Sequence, residues 1–374
     1  MTSTSIVELL ASVGIRINGH DPWDIQVHDD RWLTRLLREK NLGLGESYME
    51  GWWDCAQIDG MIFRLLRGGL ENKVKGNWRY MLSLLPGLVF NLQSRSRSHI
   101  IAKRHYDLGN DLFFSFLDAQ HLYSCAYFKD TDDLETAQEK KLELIARKLD
   151  LTKGDRLLDI GCGWGGLAHY AASKHGCDVT AVNISQEQLR HAREICKDLP
   201  VSFIERDYRS IGGVYDKIVS VGMFEHVGPK NYRTFMNVVH RTLKDDGVFL
   251  LHTIGGNESC TNYDPWMNTY IFPNGVLPSL KQISEASEGL FVIEDVHNLG
   301  PHYDKTLMAW NARFQKAWPQ LEARYGVVFK RMWEYYLLSC AGAFRARDVQ
   351  LWQIVMTKDG GGATQRPIQP SRMI

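Results

Sequence analysis

An apolar run that ends in a cluster of glycines, LLDIGCGWGG at Leu157–Gly166, restricts the fold of this chain more than any other segment. It joins a strand-like stretch to a tight turn and then to a helix expected to begin near Leu167. Gly161, Gly163 and Gly165 leave no Cβ between the backbone and a ligand, and the first turn of the following helix offers N–H groups without intrahelical partners. A strand, a glycine turn and a helix in that order fit an α/β protein that binds a nucleotide-like cofactor. The glycines alone leave a dinucleotide site and a bland tight turn open as alternatives.

The chain around this turn alternates short β-rich runs with amphipathic helical stretches, the pattern of a parallel sheet covered by helices. The runs are Arg156 to Ile160, Asp178 to Val182, Val201 to Glu205, Asp216 to Val221 and Gly247 to Thr253. Gln186 to Cys196 and Tyr232 to Leu243 carry apolar residues at helical spacing between them. After a Gly, Asn and Pro-containing insertion, Phe291 to His297 and Leu351 to Thr357 read as two late strands of the same sheet, and residues 358–374 as a tail. Residues 1–90 show short helical segments without strand alternation and are expected to form a small helical N-terminal domain. A linker at 91–104, where FNLQSRSRS raises polarity and positive charge, leads into a catalytic domain at 105–374.

Composition narrows the function classes. Lys plus Arg and Asp plus Glu both number 44, so no global charge draws the chain toward nucleic acid. The seven cysteines form no CxxC pair and no metal-ligand spacing, which fits reduced thiols and no metal site. The start MTSTSIVELLASVGI has no early basic residue and its apolar stretch is broken by Glu8, so a cytoplasmic location is expected. The most apolar segment, Met81 to Phe90, is too short to span a bilayer.

Asp159, directly before the glycines, separates the cofactor alternatives. A dinucleotide turn places its acidic residue about 20 positions later, whereas D-x-G-x-G resembles the first motif of S-adenosylmethionine methyltransferases. That resemblance implies a Rossmann-like class I methyltransferase sheet flanked by helices, with the loop facing the amino acid and ribose of S-adenosylmethionine. Asn183 ends the second strand where many such enzymes carry an acidic residue for the ribose, and Gln188 follows in NISQEQ as a second hydrogen-bonding group. Asp207 and Tyr208 in RDYR, after the third strand, suit adenine hydrogen bonding and stacking; a solvated loop is the competing reading.

Four further motifs, YSCAY at Tyr123–Tyr127, SVGMFEHVGPKNY at Ser220–Tyr232, FLLHTIG and AGAFRARD at Ala341–Asp348, give the chain a close resemblance to cyclopropane-fatty-acyl-phospholipid synthases. The resemblance covers nearly the whole length, with YDLGNDLF, YIFPNG and GLGESYMEGWW included, and fits the bacterial phospholipid enzymes better than their shorter mycolic acid relatives. It implies that alkene electrons of a cis-unsaturated acyl chain attack the sulfonium methyl, and that a base then removes a proton from the transferred carbon to close a ring. A side-chain base would itself be alkylated, and the family holds a bicarbonate ion instead. The bicarbonate site maps onto Cys125, Glu225, His252, the Ile254 backbone and Tyr303, while Tyr123 and Ser124 map onto cofactor contacts. His252 and Tyr303 can donate to an anion; Glu225 is read as an acceptor, since a bare carboxylate repels bicarbonate. Each residue also has a bland reading as an ordinary core Cys, strand His or helix-start Tyr.

Cys340 matches a cysteine once regarded as the family's nucleophile, but a packed helix cysteine is the preferred reading. Trp164, Tyr170, Phe203, Phe224, Trp266, Tyr270, Phe272, Trp310 and Tyr336 are candidates to line an acyl tunnel, although most large aromatics serve packing. Acting on a phospholipid requires transient, peripheral contact with the membrane surface. Arg95, Arg97, Lys103 and Arg104, the segment Leu82 to Leu92, and Tyr48, Trp52 and Trp53 are the candidate contacts. The family forms dimers, so a homodimer is expected; no nucleic acid partner is. Two other outcomes compete: a methyl-branched or hydroxylated product from the same carbocation, and a catalytically silent lipid-binding protein of the same fold.

Overall fold

The computed structural model describes residues 3–69, 109–261 and 263–358. Two units divide the chain: one takes Met1–Phe90, Asn262–Pro273 and Tyr303–Val349, the other Asn91–Thr261, Asn274–His302 and Gln350–Ile374. The expected linker, its basic cluster, the Leu82 to Leu92 segment and the C-terminal tail lie outside the described residues.

In the first unit, helices α1 (Ser3–Ala11), α2 (Arg31–Glu39), α3 (Asn41–Met49) and α4 (Ile58–Arg67) accompany a short antiparallel pair, β1 (Gln26–Val27) with β2 (Trp53–Asp54). Helical structure in this stretch matches the reading of its sequence. Gly45 of α3 permits a close approach, because a Cβ there would lie 2.4 Å from the Trp266 ring. Trp53 is wholly buried, its indole N–H donating to the Leu44 carbonyl and the Ser47 hydroxyl, both at 3.1 Å. Tyr48 packs its ring 4.9 Å from Trp53 and 5.7 Å from Tyr335. These two aromatics belong to the interior of the unit and cannot serve as the interfacial anchors expected of them; tight ring packing outweighs their amphipathic character.

The second unit opens with α5 (Asn110–Phe116) and α6 (Leu134–Leu149), the latter capped by Asp133, whose carboxylate accepts the Thr136 N–H at 2.8 Å. It then alternates: β3 (Arg156–Ile160), α7 (Gly166–His175), β4 (Asp178–Asn183), α8 (Gln186–Ile195), β5 (Val201–Glu205), β6 (Tyr215–Val221), α9 (Tyr232–Thr242) and β7 (Leu243–Gly256). Next along the chain come α10 (Pro265–Tyr270) of the first unit, α11 (Leu280–Ser287), β8 (Phe291–Asn298), the long α12 (Gly300–Ala346), broken at Gly326, and β9 (Val349–Lys358). Each expected strand is present, most with a residue or a few more at its ends.

The seven-stranded sheet runs β5-β4-β3-β6-β7-β9-β8. Strands β5, β4, β3, β6 and β7 pair in parallel, and β8 is antiparallel to β9. Period-two alternation sorts neighbouring residues onto opposite faces: Leu157, Val219, Leu250 and Val355 join one buried cluster, whereas Leu158, Ile218, Leu251 and Ile354 join the other. Helices cover both faces, which is why these strands read as nearly continuous apolar runs. Beyond β3 the chain goes first to β4 on one side and later to β6 on the other, so the carboxyl ends of β3 and β6 border a topological switch point, the place where such sheets bind ligands.

Candidate active site

The glycine turn sits at the end of β3. Gly161, Gly163 and Gly165 adopt φ of +91°, +54° and +89°, a region L side chains rarely occupy. They serve different ends. A Cβ on Gly161 would strike Met223 at 2.7 Å and one on Gly165 would strike Ala192 at 2.8 Å, while a Cβ on Gly163 would meet nothing within 4 Å. Gly161 and Gly165 allow tight packing around the turn; Gly163 keeps its open side clear.

Asn183 and Gln188 brace this turn. The Asn183 amide donates to the Gly163 carbonyl at 3.3 Å and to Gln188 Oε1 at 2.8 Å, and its own oxygen accepts the Ile184 N–H. Asp159 is almost wholly buried, and its Oδ2 has no hydrogen-bond partner among the described residues. Burial pushes its carboxyl up to about 7, opposed by the charge of Lys141. Asp207 is paired with Arg209 at 2.7 Å, and Tyr208 is buried against Phe235 with the Arg209 guanidinium over its ring. A buried, incompletely bonded carboxylate beside an unobstructed glycine turn fits a polar cofactor that bears donors, as S-adenosylmethionine does.

Tyr123, Ser124 and Cys125 lie on the loop between α5 and α6. Tyr123 sets its ring edge against Phe113 and Phe116. The Ser124 hydroxyl accepts from Lys141 Nζ at 2.8 Å, and its carbonyl accepts from Gln138 Nε2 at 3.1 Å. Cys125 is fully buried, with Sγ 3.2 Å from the Ala126 carbonyl.

Glu225 sits in a short 3-10 turn after β6 and accepts the Ile254 N–H at 2.7 Å. That bond commits the Ile254 amide to Glu225. Burial pushes the Glu225 carboxyl up to about 7, and its Oε2 has no hydrogen-bond partner among the described residues. His252, on β7, is held neutral by burial and then by the charges of Lys141 and Lys148. Its Nδ1 lies 3.3 Å from Gln353 Nε2, and its Nε2 has no partner among the described residues. With that amide orientation Nδ1 is the acceptor, so Nε2 carries the hydrogen and is a free donor.

Four of the five expected anion-site residues therefore belong to the sheet unit, and the structure joins two of them directly, Glu225 and Ile254. Tyr303 belongs to the other unit, its ring against Phe344 at 4.6 Å and Trp310 at 6.0 Å. Cys340 is in that unit too; burial, then the nearby Asp264, push its thiol up to about 12, far from a reactive thiolate. Trp164, Phe224, Trp266 and Trp310 are nearly all buried, as core aromatics are.

Gln138 and Lys141 went unnoticed in the sequence. Both are fully buried on α6, and both fall on the apolar stripe Leu134, Ala137, Leu142, Ile145 and Leu149. A lysine at a core position of an amphipathic helix was the available signal. Lys148, a further buried lysine of α6, is paired with Asp295 at 2.8 Å.

A parallel sheet of this strand order, with a glycine turn and a buried acid at the carboxyl end of β3, defines an S-adenosylmethionine-dependent methyltransferase of class I. Comparison with known proteins narrows the class. The profile of the family described as mycolic acid cyclopropane synthetase matches residues 93–354. The chain is 55% identical over 351 residues to the cyclopropane-fatty-acyl-phospholipid synthase of Escherichia coli (strain K12), covering 94% of this chain and 92% of that protein. It is 37% identical over 272 residues to a probable fatty acid methyltransferase of Pseudomonas putida, covering 68% of each. Mycolic acid cyclopropane synthase CmaA1, solved with SAH and CTAB, superimposes with a TM-score of 0.65 at 33% identity, covering 70% of this chain and 98% of that one. The chain belongs to this cyclopropane synthase family.

Among the described residues no helix is long and apolar enough to cross a membrane.

Proposed function

We propose that the protein adds a methylene bridge across the cis double bond of phospholipid acyl chains, with S-adenosylmethionine and bicarbonate held by the residues at the carboxyl ends of β3, β6 and β7. When bound, S-adenosylmethionine supplies the methyl group that becomes the bridge and bicarbonate supplies the proton acceptor. The observation that carries this reading is that three of the buried, incompletely bonded polar atoms of the sheet unit belong to titratable groups at the ends of neighbouring strands or within them: Asp159 Oδ2, Glu225 Oε2 and His252 Nε2. Buried polar atoms cost stability unless matched, so three around one switch point mark a place built for polar ligands.

The residues divide the work by charge state. Neutral His252 offers an N–H to an anion. Glu225, whose carboxyl titrates near neutrality, accepts a proton from the anion or shares one with it, and its bond to Ile254 fixes its orientation. Asp159 and the Gly163 turn orient the cofactor. The relative that is 55% identical across 94% of the chain supports ring formation rather than simple methylation. Methyl branching remains the second reading, favoured by the Pseudomonas putida relative. Its product differs only in which proton leaves.

Contact with the membrane is peripheral in this proposal, and the protein works as a homodimer. Val327 and Val328, 61% and 52% exposed, are the most exposed large apolar side chains among the described residues. They directly follow the break of α12 at Gly326, with Arg324 and Lys330 nearby in the chain, a combination suited to a phospholipid headgroup region.

The test is mass spectrometry of acyl chains after incubation with unsaturated phospholipid vesicles and S-adenosylmethionine carrying a fully deuterated methyl group. Cyclopropanation yields chains one methylene heavier that have lost one deuteron and their double bond. Retention of every deuteron establishes branching or hydration, and an unchanged lipid pool defeats the proposal.

A further inference from the structure

We propose that Lys141 is a positioning residue of this active site: with Gln138 it clamps the Tyr123–Cys125 loop, and its ammonium supplies the buried positive charge that draws an anion to the space near Cys125 and His252. The second half of this statement rests on the bicarbonate reading above.

The geometry of α6 carries the argument. Gln138 and Lys141 are three residues apart, so their side chains leave the same face of the helix. Gln138 Nε2 donates to the carbonyls of Leu122 at 3.2 Å and Ser124 at 3.1 Å. One turn later Lys141 Nζ donates to the Ser124 hydroxyl at 2.8 Å. Both side chains are 1% exposed or less. A loop expected to carry a cofactor contact and a Cys of the anion site is thereby tied, at backbone and side chain, to a helix whose Leu142, Ile145, Ala146 and Leu149 sit in the sheet core.

Burying an ammonium is costly, and folded proteins do it where a counter-charge or a function repays the desolvation. Lys141 has no ion pair within salt-bridge distance among the described residues. The carboxylates whose charge raises its proton affinity against burial are Asp118 and then Asp159. Asp118 is itself occupied, accepting the N–H groups of Gln120 and Leu122. The ammonium lies 2.8 Å from the hydroxyl of Ser124, the residue before Cys125, and its charge acts on Asp159 and on His252. Burial lowers the Lys141 ammonium to about 8, so it is mostly cationic at neutral pH, where it favours ionised Asp159 and opposes a positive charge on His252. It lowers the free energy of an anion held beside it. A purely structural lysine has no reason to be aimed at a catalytic loop.

The experiment compares Lys141→Met, Lys141→Arg and Gln138→Leu with the wild-type chain. S-adenosylhomocysteine affinity is measured by calorimetry, and turnover on phosphatidylethanolamine vesicles is measured as bicarbonate is restored to a bicarbonate-stripped buffer. Lys141→Met is expected to raise the bicarbonate concentration for half-maximal turnover by about tenfold or more. Lys141→Arg, which keeps the charge in another shape, is expected to retain most of the bicarbonate affinity and to lose kcat through a displaced loop. Gln138→Leu removes only the clamp, so it is expected to weaken S-adenosylhomocysteine and to shift the bicarbonate half-saturation much less than Lys141→Met does. An unaltered bicarbonate half-saturation in Lys141→Met overturns the charge role, and unaltered S-adenosylhomocysteine affinity in Gln138→Leu overturns the clamp. If Lys141→Met does not fold, the Arg variant decides: bicarbonate half-saturation shifted as strongly as kcat counts against the charge role. A wild-type rate indifferent to bicarbonate defeats the bicarbonate reading itself, and the S-adenosylhomocysteine measurements still judge the clamp.

Discussion

Two sets of ionisable groups, one in each unit, are partnered in opposite ways, although the sheet unit also holds a matched buried pair, Lys148 with Asp295. In the helical unit three part-buried arginines are matched. Arg35 meets Glu39, Glu46 and Glu50; Arg345 lies between Asp59 at 2.6 Å and Asp304 at 2.9 Å; Arg331 donates to Asp54 and to the carbonyls of Tyr48 and Trp53. In the sheet unit, Asp159, Glu225 and His252 are buried with an atom unmatched, and their proton affinities are displaced accordingly. Matched charges hold segments distant in sequence in register. Unmatched ones store desolvation free energy that a ligand can relieve, which is how a site is distinguished from a scaffold.

The sharpest way to break that comparison is to remove the unmatched groups. His252→Ala and Glu225→Gln are expected to lower turnover by roughly 10²- to 10⁴-fold, the usual share of a positioned proton-transfer group. S-adenosylhomocysteine affinity by calorimetry should stay near wild type in both. Gly163→Val, by contrast, forces a β-branched residue into φ +54° on the open side of the turn and should weaken the cofactor first. Equal loss of cofactor binding and turnover in the first two variants would remove them from the anion site.

A second expectation turns the same carboxylate into a stability measurement. The Glu225 carboxyl is raised from 4.5 to about 7 in the folded chain, so its contribution favours folding below pH 4.5 and is lost as pH rises through 7. Glu225→Gln cannot ionise. Its stability relative to wild type should improve from acid to pH 8, by up to about 3 kcal/mol. Denaturant midpoints across this range check the sign, and a difference that is flat with pH shows that Glu225 is not strained by ionisation. A variant that is nearly inactive yet firmer at pH 8 would be the expected signature of a functional buried acid.

The matched side makes a smaller prediction. Arg345→Met leaves Asp59 and Asp304 without their shared cation and should destabilise the protein by about 2 kcal/mol, read as a lower denaturant midpoint. Turnover per folded molecule should change little. A large loss of turnover at unchanged stability would assign this arginine to the chemistry instead.

How much of this could be read from the sequence follows from the range of the forces involved. The strands of the sheet were legible because burial on both faces makes each a local apolar run, and the Leu157–Gly166 turn because positive φ is a local demand for glycine. Glu225 and His252 were singled out through motif resemblance, but their displaced proton affinities needed the surrounding shell. Lys141 was missed because a lysine in QEKKLELIARK ordinarily reads as a solvated helix face; only its place on the apolar stripe told otherwise. Tyr48 and Trp53 were offered as candidate membrane contacts because the residues that bury them, Tyr335 and Arg331, lie nearly 300 positions away in the sequence. The packing of Asn262–Pro273 and Tyr303–Val349 with the N-terminal helices is equally long-range and leaves no local pattern.

That misreading moves the expected membrane contact to a place where the comparison between the units can be made finer. If Val327 and Val328 touch lipid, each loses on the order of 1 kcal/mol of interfacial burial on replacement by Ser. The double variant should then sediment with vesicles about thirtyfold less readily than wild type. Both side chains are exposed in the folded chain, so the denaturant midpoint should not fall, in contrast to Arg345→Met. Turnover on phospholipid dispersed in detergent, where no surface has to be found, should equal that of the wild type. Unchanged sedimentation would clear the α12 break of any lipid role and return the membrane contact to the basic segment around Arg95 and Arg97. Reduced turnover in detergent as well would show that these valines act on the helical unit's own structure and not on the encounter with lipid.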